Sequence, residues 1–138
     1  RVDNNQLTIN AFVIMPNHIH LIWRINSLNG KETPQGSFLK FTAHEFKKNL
    51  KAESLEQLAA YKVDATNKSY EFWQRDPLAI SIYTKPVAIQ KLKYIHNNPL
   101  AEHWQLVKSP SDYIYSSDSY YENGETKFDF LKDLWLEF

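Results

Sequence analysis

The chain has 138 residues, 43% hydrophobic and 14% aromatic, enough for a compact core. It has no cysteine, which excludes disulfides and thiolate metal sites, and no apolar run approaches the length of a membrane span. Sixteen basic and sixteen acidic residues cancel, so any affinity for nucleic acid must come from local charge rather than from the net.

Two apolar runs, Leu7 to Met15 and His18 to Ile25, flank Pro16-Asn17 and predict an antiparallel hairpin with a tight turn. Alternate side chains of a strand share a face, so His18 and His20 project together while Ile19 turns away behind them. Held by a backbone ladder, such a pair is a rigid two-point grip for a metal ion. The plainer reading is two polar residues on a solvent-facing surface.

Asn26 to Gln35, with Gly30 and Pro34, reads as a loop, and Gly36 to Ala60 as a helix. Lys40, Lys47, Lys48 and Lys51, with His44 among them, fall at helical spacing on it. They form either a solvated face or a basic edge for DNA, with Lys47 and Lys48 as contact candidates. Lys62 to Ser69 is polar and reads as a mobile connection, and Glu71 to Tyr83 should hold a strand.

Pro86 to Asn97 predicts a second helix. Pro86 suits its first turn, and Pro99 biases Asn98 away from helical geometry. Val87 or Ala88, Leu92 and Ile95 recur at the spacing of a buried stripe, whereas Tyr94 and Asn98, four residues apart, share another face and His96 points elsewhere. Taken singly, Tyr94 reads equally as a core-edge residue and Asn98 as a helix cap. Lys85, Lys91 and Lys93 supply positive charge around Tyr94, and Trp73, Trp104, Tyr113 and Tyr115 could stack bases or fill the core. Strands and helices in this order indicate an α+β fold in a single domain, residues 1–138, with no linker and no internal repeat.

Four ordered landmarks carry a resemblance. They are Met15-Pro16-Asn17-His18-Ile19-His20-Leu21, Phe72-Trp73-Gln74-Arg75-Asp76, Tyr94-Ile95-His96-Asn97-Asn98-Pro99-Leu100 and Tyr113-Ile114-Tyr115-Ser116-Ser117. Together they resemble the REP-associated tyrosine transposases, a branch of the HUH single-strand transposases with their IS200-like domain. The resemblance runs from about Leu7 to about Tyr121, and the tail from Glu122 to Phe138 carries no motif.

The resemblance implies a ferredoxin-like antiparallel sheet with helices on one face. It implies that His18, His20 and Asn98 hold a divalent metal, Mg²⁺ or Mn²⁺, and that Tyr94 attacks the scissile phosphate of single-stranded or hairpin DNA, leaving a 5′-phosphotyrosine and a free 3′-hydroxyl. One phosphodiester is exchanged for another, so no nucleotide-binding loop is needed, and the sequence has none. Two imidazoles and an amide are softer than Mg²⁺ prefers and by ligand type suit Mn²⁺, Ni²⁺ or Zn²⁺. A phenol is mostly un-ionised near neutrality, so the attack needs help from the metal or from Lys91 or Lys93. A bacterial cytoplasmic, nucleoid-associated protein is expected, either a monomer or a homodimer that exchanges the tyrosine helix.

The family places a strand and a helix ahead of the hairpin, and this sequence opens at Arg1 only a few residues before it. The expectation is an N-terminally incomplete sheet that exposes ladder groups and invites pairing with another chain. Two other classes of function remain open on the residues alone: a truncated or domesticated module that grips DNA hairpins without cutting them, and a structural or hydrolytic metal site unrelated to DNA.

Overall fold

The computed structural model describes residues 2–28, 30–74 and 77–138. In chain order it contains β1 (Leu7–Ile14), β2 (Ile19–Ile25), α1 (Pro34–Glu53), α2 (Leu55–Ala59), β3 (Lys62–Ala65), β4 (Lys68–Tyr70), α3 (Lys85–His96) and α4 (Asp118–Asn123). Short 3-10 turns lie at Asn98–Leu100, Pro110–Asp112 and Leu134–Glu137. The class is α+β, as the sequence indicates. Among the described residues each sheet has two antiparallel strands, β1 with β2 and β3 with β4, fewer than the ferredoxin-like sheet the resemblance implies. Contacts within the chain gather into two compact units, Arg1–Ser27 with Ser81–Phe138, and Leu28–Ile80.

In the first unit β1 and β2 pair through the register Val13 opposite His20 and Ile14 opposite Ile19, and the turn at Pro16-Asn17 is closed by Met15 N–H donating to His18 C=O at 2.8 Å. Facing residues in an antiparallel pair share a side of the sheet, so His20 lies on the side of Val13, Ala11 and Ile22. That side is the core: these three pack with Ala88, Leu92 and Ile95 of α3 and with Leu134. The opposite side is covered by the motif-free tail, where Phe128 meets Phe12 edge-on at 5.0 Å between ring centroids and Phe130 approaches the same ring at 5.9 Å. The tail is thus structural, a role its local pattern does not announce.

The expectation of exposed ladder groups is not met along the second edge of β1. Ile14 N–H donates to Tyr115 C=O, Ser117 N–H to Phe12 C=O, and Lys132 N–H to Ile9 C=O, so two later segments close that edge. A bulge at Asn10 shifts the register between Ile9 and Ala11. Its polar groups find partners despite full burial: the carbonyl accepts from the Tyr121 hydroxyl at 2.6 Å, and the side-chain amide donates to Lys132 C=O. Burial pushes the Tyr121 phenol up to about 12, which keeps it a donor.

In the second unit α1 begins at Pro34 behind an N-cap, Thr33, whose hydroxyl accepts from Gly36 N–H at 3.0 Å. The single helix expected from Gly36 to Ala60 is broken at Ser54, which is extended and caps α2 by accepting from Gln57 N–H. A capping serine inside a helical pattern is a stop as well as a start. Lys62 to Ser69, expected to be a mobile connection, forms instead the β3–β4 hairpin around Thr66-Asn67. The strand expected from Glu71 to Tyr83 is absent among the described residues, Arg75 and Asp76 lying outside them. Phe72 and Trp73 pack there on the rings of Phe46, Phe38 and Tyr61, and the Trp73 indole N–H donates to Thr42 Oγ1 at 2.9 Å. Side-chain burial, not ladder pairing, explains their apolar character.

Candidate active site

The hairpin turn and the end of α3 meet on the core side of β1 and β2. His20 continues the buried line of Ile22 by one strand repeat, and His18 sits just ahead of β2 beside it, with ring centroids 5.1 Å apart. Helical spacing brings Tyr94 to the same place: its ring meets the His20 ring edge-on at 5.5 Å. One turn later Pro99 is fully buried and fixes the 3-10 turn that carries Asn98, whose Oδ1 lies 3.0 Å from His18 Nε2. Four residues drawn from three places in the sequence therefore converge. Tyr94 is 60% exposed, so the phenol is open to a large substrate while the imidazoles behind it are half-buried. Burial, and then the neighbouring His18, hold His20 below the usual imidazole range and so favour its neutral, ligating form.

No cluster of three or more His, Cys, Asp or Glu side chains suited to a metal exists among the described residues. The convergent set is two imidazoles and an amide. One donor pair of this set has a spacing compatible with a shared cation: adjacent donors on an octahedral ion with bonds of about 2.1 Å lie about 3.0 Å apart, and His18 Nε2 lies 3.0 Å from Asn98 Oδ1, a distance that also suits a hydrogen bond. The Trp104 ring, 6.1 Å from that of His18, supports the imidazole from the core.

The lysines are distributed differently from the expectation. Lys85 stands at the opposite end of α3, about 14 Å along the axis from Tyr94 at 1.5 Å per residue, with its ammonium over the Trp135 ring at 5.6 Å. A helix start is necessarily remote from a residue nine positions on. Lys91 precedes Tyr94 by one turn and is half-buried, and Lys93 is exposed on the adjacent face, lining a cleft of about 510 Å³ with His96, Asn97 and Asp118. Lys47 and Lys48 belong to the second unit, Lys47 over the Tyr70 ring at 5.0 Å and Lys48 beside Glu45 at 3.9 Å. The first unit alone builds the site. Tyr113 is half-buried, its hydroxyl donating to Ile14 C=O at 2.8 Å, while Tyr115 is exposed beside it.

Sequence reasoning missed the group that anchors α3. His96 points away from Tyr94 into a buried network: Nδ1 lies 3.1 Å from Asp118 Oδ1, and Nε2 2.9 Å from Ser117 Oγ. Ser117 Oγ in turn accepts from Phe12 N–H at 2.9 Å. The tyrosine helix is thereby tied to β1 and α4 through side chains that no periodicity connects. With its hydroxyl fully buried and engaged by β1, Ser117 forms no open nucleophile, so the Ser-His-Asp order is structural here.

Burial pushes Asp118 up to about 6, with Glu122 adding to the effect, and lowers His96 to about 4. As pH falls from 6.5 the unfolded chain takes up the histidine proton that folded His96 refuses, so stability is lost down to about 4. Asp118 works the other way, because the folded chain holds its proton up to about 6 and the unfolded chain releases it above 3.8. The two effects oppose each other between about pH 6 and 4. In Asp118→Asn only the histidine remains, and urea unfolding should show a loss of about 3 kcal/mol between pH 6.5 and 4.

Comparison with protein-family models, with curated proteins and with solved structures gave no match for this chain.

Proposed function

We propose that the protein cleaves single-stranded DNA and transfers the strand through a 5′-phosphotyrosine on Tyr94, with hairpin DNA of the REP type as substrate in the bacterial cytoplasm. The observation that supports this most is the convergence of Tyr94, His20, His18 and Asn98 at one end of α3. A phenol beside two imidazoles and an amide oxygen supplies a nucleophile and donors for a metal ion, the groups that attack on a phosphodiester requires.

His18, His20 and Asn98 would hold a divalent ion, Mn²⁺ or Mg²⁺, which when bound supplies charge neutralisation at a phosphate oxygen. Tyr94 supplies the nucleophile. Its oxygen forms the new bond to phosphorus as the bond from phosphorus to the 3′-oxygen breaks; the phenol proton is lost and the departing 3′-oxygen ends protonated. Exposure of Tyr94 lets a strand reach it, and Lys91, one turn away on α3, adds positive charge for the backbone. The ester energy is kept in the tyrosyl phosphodiester, so the reverse attack by a 3′-hydroxyl joins strands with no external energy source.

The test is incubation of the full chain with labelled single-stranded hairpins and Mn²⁺, followed by denaturing electrophoresis. A denaturant-resistant protein–DNA band is expected, and it should vanish with chelator and fall at least about 10²-fold in His20→Ala. Retention of hairpins with no band under any divalent metal would leave only a binding module.

A further inference from the structure

The two ring nitrogens of His18 are each close to an amide oxygen. Nδ1 lies 2.7 Å from Asn17 Oδ1, and Nε2 lies 3.0 Å from Asn98 Oδ1. A neutral imidazole carries one N–H, so only one of these contacts can be a hydrogen bond. At the other, a nitrogen lone pair faces an oxygen lone pair, an arrangement that a cation between them would make favourable. The shorter contact lies on the exposed turn, within one residue along the chain, and the longer one joins the hairpin to the segment after α3.

We infer that Asn17 is a positioning residue for this site: its side-chain oxygen accepts the Nδ1–H of His18, fixes the imidazole in the Nδ1–H tautomer and leaves Nε2 free to ligate the metal beside Asn98. The inference rests on the metal reading above and deepens it. A ligating histidine commonly donates its other N–H to a fixed oxygen, and loss of that partner typically costs 10- to 100-fold in metal affinity. Here the partner is the residue immediately before the ligand, in the turn that opens β2, so the hairpin supplies both the ligand and its orienting group. The Trp104 ring packs near the same imidazole, which restricts the ring plane while Asn17 selects the proton's position.

Asn17 is exposed, so its variants should fold, and two readouts separate the roles. The first is ¹⁵N NMR of the His18 imidazole in the metal-free full chain at about pH 8, where imidazoles are neutral. The second is Mn²⁺ binding by calorimetry. The wild type should show the Nδ1–H tautomer; Asn17→Ala should shift His18 toward Nε2–H and weaken Mn²⁺ binding about 10- to 100-fold. Asn17→Asp, which keeps the acceptor oxygen, should restore both. An Nε2–H tautomer in the wild type, or unchanged Mn²⁺ affinity in Asn17→Ala, would overturn the role given to Asn17. Failure of the wild type to bind Mn²⁺ defeats the metal reading instead, and the tautomer still judges the Asn17 contact on its own.

Discussion

Tyr94→Phe should lower the yield of covalent protein–DNA adduct by more than about 10³-fold while hairpin affinity and Mn²⁺ affinity stay within about twofold of the wild type. The substitution removes one oxygen and leaves the ring, and the ring is what touches His20 edge-on. Because Tyr94 is 60% exposed and its hydroxyl has no partner among the described hydrogen bonds, the fold has little invested in that oxygen. Stability should therefore be unchanged by urea unfolding. Loss of chemistry with retained binding is the signature of a nucleophile. Equal loss of both would make Tyr94 a binding residue.

The largest effect on stability is expected from His96→Ala. Asp118 is 4% exposed, its Oδ1 is held by His96, and its Oδ2 has no hydrogen-bond partner. Removing the imidazole strands that carboxyl group and opens a cavity between α3, α4 and β1, a combination that typically costs about 3–5 kcal/mol. Unfolding in urea should shift accordingly. The double variant with Asp118→Ala should be less damaging than the sum of the two single variants, because the second change removes the group the first leaves unpaired. Strict additivity would mean that the 3.1 Å contact carries no coupling. Activity should fall with stability in His96→Ala, because the network that orients α3 also orients Tyr94.

Legibility in the sequence followed locality. The shared placement of His18 and His20 could be read because strand alternation acts over two residues, and that of Tyr94 and Asn98 because a helical turn acts over four. Their meeting across the chain was carried by the resemblance, since no local pattern ties residue 20 to residue 94. The β3–β4 hairpin was hidden because Val63, Ala65 and Tyr70 give too few apolar positions to reveal alternation, although Thr66-Asn67 is a fair turn. The break at Ser54 was hidden by apolar periodicity that continues on both sides of it. The tail that covers Phe12 and the network that anchors α3 were not legible at all: Phe128, Leu131 and Asp118 acquire their roles from partners about a hundred residues away or, for His96 and Asp118, from facing elements. Lys85 was misplaced for a simpler reason, since helix length puts its charge at the wrong end.

The central claim is that one phenol, set against two imidazoles and an amide, becomes the covalent anchor of a DNA strand. Peptide mapping of the adduct tests it directly, because the tryptic peptide from Tyr94 to Lys108 contains no other of the chain's 8 tyrosines. After nuclease digestion the nucleotide remnant should be found on that peptide, at Tyr94. A remnant on Tyr113, Tyr115 or any other residue, or no covalent remnant with any divalent metal, would contradict the account.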